Sequence, residues 1–296
     1  MSEITVAFIG LGNMGGGMAA NLVKAGYRVI GFDVAEAMVE TACANGIEAG
    51  DTLLDCVKSA DFIFTMLPTG KHVLDVWSEI LPVARPGSLI SDCSTVDVAT
   101  TRKLHELAAK HNLESVDAPV SGGVGGARAG TLTFMVGGSQ EAFARVEPLL
   151  RRMGQKAVRC GDGGAGQAAK ICNNMILGIT IVGVSEAFVL GEKLGLSHEA
   201  LFDVASTSSG QCWALTTYCP VPGPVPTSPA NGDYRPGAPA TMLLKDLRLS
   251  QDAASDAHAH TPLGKHATEI YDAFVADGHG GEDFSAIVRY LREKSV

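Results

Sequence analysis

At 296 residues with 46% hydrophobic content, the chain is long enough for two domains and too apolar for disorder. Its net charge of −9 leaves no basic footprint for nucleic acid or an anionic membrane surface. The seven cysteines, at 43, 56, 93, 160, 172, 212 and 219, are odd in number and form no CxxC pair. They read as small apolar residues of a reducing compartment, not as a disulfide framework. Met1-Ser2-Glu3 leads straight into an apolar run, so no leader is expected and the cytoplasm is the expected location.

The first element, Ile4 to Ile9, reads as a strand, and Gly10-Leu11-Gly12-Asn13-Met14-Gly15 follows it and opens a helical pattern. In such a turn the first glycine permits the bend, the second lets backbone approach a pyrophosphate, and the third lets helix pack on strand. The free N–H groups at the helix start then face the phosphates. Arg28 to Asp33 reads as a second strand ending in a carboxylate, about 20 residues beyond the glycines, where an acid accepts the ribose hydroxyls. Asp33 would repel a 2′-phosphate, so NAD is expected over NADP. A glycine turn with a surface aspartate is the competing reading, and the strand before and helix after weigh against it.

Farther along, Glu36 to Asn45 is helical, Asp61 to Leu67 is a strand stopped by Pro68, and Lys71 to Ala84 is helical. Ser88 to Asp92 is a strand, Asp97 to His111 a helix, and Leu113 to Asp117 a strand end before Pro119. Strand patterns at Thr131–Val136 and Lys156–Arg159 flank a helix from Gln140 to Met153. Apolar strands alternating with helices predict a mostly parallel sheet covered on both faces. Ala165 to Leu194 then runs about 30 residues without proline, far beyond the ~11-residue average helix. Its apolar residues surround it, and Lys170, Asn173, Asn174 and Glu186 interrupt it too often for a lipid span, so a buried helix is expected. The remainder reads as helices over 197–206, 242–258, 262–276 and 284–292. The prediction is α/β: a Rossmann-type, mostly parallel sheet domain over 1–163, then an all-α domain over 164–296, joined by the long helix. Cys219 to Pro239 carries seven of the thirteen prolines and is expected to be a stiff extended loop, with Tyr218 and Tyr234 flanking it and able to cover a site.

Lys170 and Asn174 stand at i and i+4 on the long helix and so share a face. A lysine and an amide on an apolar helix are costly without polar partners. Desolvation lowers a lysine pKa and permits a neutral amine to act as general base. A snorkelling lysine is the bland alternative. Asp117 to Gly126 begins at a strand's carboxyl end, where ligands bind in open parallel sheets; Ser121 supplies a hydroxyl, and Gly122 and Gly123 expose N–H groups for a carboxylate. Met66-Leu67-Pro68-Thr69 and Ser94-Thr95 end two further strands and by position border the cofactor. Lys245-Asp246 read alone as a surface ion pair. His258 and His260 stand at i and i+2 and cannot share a helical face, His266 is expected to lack a nearby carboxylate partner, and no metal site is expected.

Gly10 to Gly15, Asp117 to Gly123, Gly166 to Asn174 and Lys245-Asp246-Leu247 recur here in one order, and together they resemble the β-hydroxyacid dehydrogenase family over essentially the whole chain. The resemblance implies NAD(P)-linked oxidation of a short 3-hydroxy acid, with 3-hydroxyisobutyrate going to methylmalonate semialdehyde in valine breakdown. It implies that Lys170 is catalytic, that Ser121, Gly122, Gly123 and Asn174 hold the substrate carboxylate, and that Thr95 and Lys245 contact the nicotinamide end. Asp246 would orient neighbouring groups. Related 6-phosphogluconate dehydrogenases place an acid two turns after the lysine; Leu177 stands there in this chain, which implies no decarboxylation. Tartronate semialdehyde reduction, serine oxidation and a non-catalytic cofactor sensor are the alternatives. Relatives of this kind are commonly dimers or tetramers, so a homo-oligomer is expected.

Overall fold

Residues 4–295 are described by the computed structural model. The chain divides into two units, one running to Lys170 and the other starting at Ile171, a division that falls inside the long helix. The first unit opens with β1 (Thr5–Ile9), α1 (Gly15–Lys24), β2 (Arg28–Phe32), α2 (Glu36–Cys43) and β3 (Glu48–Ala49). It continues through α3 (Leu53–Lys58), β4 (Phe62–Thr65), α4 (Gly70–Ile80), β5 (Leu89–Asp92), α5 (Val98–Lys110) and β6 (Glu114–Asp117). Next come β7 (Val120–Ser121), α6 (Gly123–Ala129), β8 (Leu132–Gly137), α7 (Gln140–Met153), β9 (Gly154–Gly161) and the start of α8 (Ala165–Lys193).

These strands form one sheet in the order β3-β2-β1-β4-β5-β6-β8-β7, with β9 paired to β8. From β3 to β6 all pairs are parallel; β8 runs antiparallel to β6 and β7 and parallel to β9. The central parallel strands β1, β4 and β5 are buried on both faces because alternate side chains feed two separate cores. Val6, Phe8, Phe62 and Phe64 pack on one side, while Ala7, Ile9, Ile63 and Ile90 pack on the other. Strand order reverses between β1 and β4, and their carboxyl ends open the crevice where such sheets take ligands. The elements that periodicity did not predict are short. β3 is a two-residue edge pairing, α3 is a six-residue helix capped by Thr52, and β7 and α6 lie in a glycine-rich stretch with no apolar period.

The second unit contains the rest of α8, then α9 (His198–Ser206), α10 (Trp213–Thr216), α11 (Ala240–Asp256), α12 (Pro262–Phe274) and α13 (Ile287–Lys294). Among the described residues no strand follows β9. A single bridge joins Pro239 to Asp283. One face of α8, with Ile181, Val182 and Phe188, enters a core that includes Leu247, Tyr271 and Phe274. The expectation that α8 is buried all round fails: Ile176 and Leu190 are 60% and 59% exposed, and Leu194, just past its end, is 71% exposed. By length and composition α8 is long and apolar enough to cross a membrane, and 44% of its most apolar window is buried.

The proline-rich loop is not simply extended. It makes a 3-10 turn at Pro229–Gly232 and buries Cys219, Val221, Val225 and Tyr234 in the helical core. Buried Asp283 holds its end, accepting hydrogen bonds from the Gly237 and Ala238 amides and from the Tyr218 hydroxyl. Tyr234 donates to the Pro220 carbonyl at 2.7 Å, so it is a core strut and not a cover. Tyr218 stacks between half-exposed Trp213 and buried Phe284. His266, expected to lack a carboxylate neighbour, lies 3.2 Å from Glu269 one turn on.

At the end of β5, Asp92 is fully buried and loads three hydrogen bonds onto one oxygen, from the Thr65 hydroxyl and from the Ser94 amide and hydroxyl. Its Oδ2 has no hydrogen-bond partner among the described residues. Burial pushes this carboxyl up to about 6, against the lowering by Ser94 and Thr65. A folded-state value above the unfolded one (about 3.9) means that the native state binds the proton more tightly. Stability from this group is therefore present below about pH 4 and lost as pH rises through about 6. Asp92→Asn keeps the loaded oxygen and removes the charge. Urea unfolding should show the stability gap moving in favour of the variant by roughly 2–3 kcal/mol between pH 4 and pH 7. A gap that does not change with pH would contradict this assignment.

Candidate active site

The first unit gathers most of the residues singled out in the sequence around the carboxyl ends of its parallel strands. Gly10 to Gly15 turn from β1 into α1, and Met66 donates its amide to the Ile9 carbonyl at 2.9 Å, which sets Met66-Leu67-Pro68 beside that turn. A Cβ on Gly15 would collide with the Gly10 carbonyl oxygen, so only glycine lets α1 start this close to β1. Nothing lies within 4 Å of where a Cβ on Gly12 would stand, which leaves the backbone open to a phosphate group. Met14, at the head of α1, makes no side-chain cap, and the first turn contains no acid. A helix start of that kind is suited to anion binding.

Asp33 sits just past β2 and accepts the Leu11 amide on Oδ2 at 2.7 Å and the Ala35 amide on Oδ1 at 2.9 Å. A carboxylate has about four lone-pair sites, so acceptor capacity remains for ribose hydroxyls. Glycine turn, uncapped helix start and partly engaged carboxylate together fit a dinucleotide.

The ends of β5, β6 and β7 and the start of α8 carry the remaining groups of this unit. Ser94 and half-buried Thr95 follow β5, and the Ser94 hydroxyl accepts the Leu67 amide at 2.8 Å. Asp117, the last residue of β6, is 1% exposed and accepts the Gly164 amide on Oδ1 at 2.8 Å and the Gln167 amide on Oδ2 at 2.9 Å. One carboxylate thus caps the beginning of α8. His105 Nε2 lies 2.9 Å from Asp117 Oδ1, and its Nδ1 lies 2.7 Å from the Ser115 hydroxyl, so the capping acid is itself held in place. Ser121 ends β7, and exposed Gly122 and Gly123 follow with φ of +133° and +61°, conformations that favour glycine. Lys170, in the second turn of α8, is 8% exposed.

Within the second unit, Asn174, Lys245 and Asp246 come together. Asn174 Nδ2 donates to Asp246 Oδ2 at 2.5 Å, Lys245 Nζ lies 3.0 Å from Asp246 Oδ1, and Asn173 donates to Asn174 Oδ1 at 3.0 Å. Asp246 is 6% exposed and lies inside α11, so Lys245-Asp246 is no free surface pair; the acid orients the Asn174 amide. Asp92, His105, Ser115 and Gln167 received no role from the sequence. Gln167, an amide in an apolar helix one turn before Lys170, carried the one readable signal among them.

Residues 5–161 match the family model described as the NAD binding domain of 6-phosphogluconate dehydrogenase. Residues 164–291 match the one described as the NAD-binding of NADP-dependent 3-hydroxyisobutyrate dehydrogenase. A probable 3-hydroxyisobutyrate dehydrogenase of Mycobacterium tuberculosis is 50% identical over 291 residues, 98% of this chain and 99% of that one. The 3-hydroxyisobutyrate dehydrogenase of Pseudomonas aeruginosa is 46% identical over 294 residues, again 98% and 99% of the two chains. A solved structure of the M. tuberculosis 3-hydroxyisobutyrate dehydrogenase with L-serine superposes with a TM-score of 0.95 at 50% identity, over 98% of this chain and 99% of that one. Likeness of this order over the full length of each chain places the protein in the 3-hydroxyisobutyrate dehydrogenase family, as an NAD-binding oxidoreductase acting on a CH–OH group.

Proposed function

We propose that the protein oxidises 3-hydroxyisobutyrate to methylmalonate semialdehyde with NAD, as a step of valine breakdown, and that Lys170 is the general base. The observation that carries the reading is a lysine residue only 8% exposed, in the second turn of a helix whose start is pinned to the sheet's carboxyl ends. Gly10, Leu11, Gly12, Asn13, Met14 and Gly15 are assigned to the pyrophosphate, Asp33 to the adenosine ribose, and Met66, Leu67, Pro68, Thr95 and Lys245 to the remaining length of the cofactor. Ser121, Gly122, Gly123 and Asn174 are assigned to the substrate carboxylate, with Asp246 orienting Asn174.

The chemistry supplied by bound NAD is acceptance of a hydride from the carbinol carbon. Lys170 in its neutral form takes the hydroxyl proton as that hydride departs. Its ammonium then donates to the new carbonyl oxygen, where negative charge develops in the transition state. The negative charge of Asp33 disfavours a 2′-phosphate and supports NAD over NADP. Seven free cysteines support a cytoplasmic setting, and exposed Ile176, Leu190 and Leu194 support a homodimer or homotetramer.

L-Serine is a second candidate substrate, since it is itself a 3-hydroxy acid and is the compound named with the M. tuberculosis structure. A panel of 3-hydroxyisobutyrate, L-serine and, in the reducing direction, tartronate semialdehyde decides between them. The expected order of kcat/KM puts 3-hydroxyisobutyrate first and NAD ahead of NADP by at least ~10-fold. A higher value for serine would reassign the substrate, and no turnover with any of them would point to a cofactor sensor.

Replacing Lys170 by arginine leaves a positive group that stays protonated. Turnover should fall by about 10²- to 10⁴-fold, the range that general-base catalysis supplies. Near-normal kcat in Lys170→Arg would remove lysine from the base role.

A further inference from the structure

Gln167 is completely buried, and both ends of its side-chain amide are engaged. Nε2 donates to the Ser94 carbonyl at 2.6 Å, and Oε1 accepts the Val96 amide at 3.2 Å. These two backbone groups flank Thr95, so the glutamine pairs with the loop much as a neighbouring strand would. The far side of the loop is tied as well, with the Ser94 hydroxyl joined to the Leu67 amide and to Asp92. Gln167 and Lys170 stand at i and i+3, on one face of α8 and about 4.5 Å apart along its axis. A displacement of α8 against this loop therefore moves the amine relative to Thr95, and Gln167 is the side chain that spans the two.

We propose that Gln167 is a positioning residue for the reaction, fixing the distance between the Lys170 amine and the Thr95 loop. This rests on the reading of Lys170 as base and of Thr95 as a nicotinamide neighbour. Asp117 holds the backbone of the first helical turn to β6, whereas the Gln167 side chain sets the helix against the loop after β5. The role is one of geometry: removing it leaves the proton acceptor present but displaced. Displacement on the scale of an ångström costs an enzyme about 10²-fold in rate.

The test compares Gln167→Met, which keeps the volume and loses both hydrogen bonds, with wild type and Lys170→Arg. Active sites are counted by NADH fluorescence titration, so that kcat is expressed per folded site. Substrate deuterated at the carbinol carbon reports whether hydride transfer limits the rate. Gln167→Met should lower kcat by about 10²-fold, with KM for NAD and for 3-hydroxyisobutyrate within ~3-fold of wild type, and the isotope effect on kcat should rise. Gln167→Glu, which keeps the acceptor for the Val96 amide but turns a second oxygen toward the Ser94 carbonyl, takes over the same comparison if the methionine variant does not fold. Unchanged kcat per site would overturn the proposal, as would a loss matched by a rise in KM for NAD with no change in isotope effect. Failure of the underlying base assignment has a separate signature, namely turnover retained in Lys170→Arg.

Discussion

The capping of α8 by Asp117 is the contact on which the placement of Lys170 in the first unit depends. A single buried carboxylate takes two amides from the start of the helix, and the Gln167 side chain fastens the same turn to the loop after β5. Free N–H groups at a helix start are orphan donors, and a buried acid there satisfies them while its charge meets the positive end of the helix dipole. The strand that leads to Ser94 is buried on both faces and feeds two cores, and the one that delivers Asp117 buries Val116 in the first of them. Lys170 inherits that rigidity one turn later. Preorganisation of this kind is what a site on regular elements supplies over a site on loops.

The polar groups under the strand ends form one connected set. Leu67, Ser94, Asp92, Thr65 and Trp77 are joined by successive hydrogen bonds, which links the loop after β4 with the loop after β5. Asp92 is the tense member, with one oxygen crowded by donors and the other lacking a partner among the described residues. A buried acid in that state is costly to ionise. Its retention at the foot of the loops after β4 and β5 trades stability near neutral pH for a fixed loop geometry.

Much of this was legible in the sequence. The glycine turn, Asp33 and the apolar strands follow local rules, and the sheet places them as those rules require. The start of α8 near Ala165 was also readable, because an unbroken apolar run of that length admits few alternatives. The short elements were not, since two-residue β3 and glycine-rich α6 have too few residues to establish a period. Reversal of β8 against β6 is set by chain path, which composition does not encode. At the site, Lys170 and Asn174 announced themselves as polar residues on an apolar helix, whereas the His105–Asp117–Ser115 contacts join separate elements and leave no spacing to read. Tyr234 misled because an aromatic in a proline-rich loop looks exposed until the loop folds into the core.

In the proposed reaction, helix pinning delivers the Lys170 amine to the hydroxyl that is oxidised. The most direct measurement is a crystal structure of the protein with NAD and an unreactive analogue of 3-hydroxyisobutyrate. The account predicts Lys170 Nζ within about 2.6–3.2 Å of the oxygen that stands for the substrate hydroxyl, with the Asp117 cap and the Gln167 contacts intact. An analogue hydroxyl bonded to some other proton acceptor, with Nζ beyond hydrogen-bond reach, would contradict it.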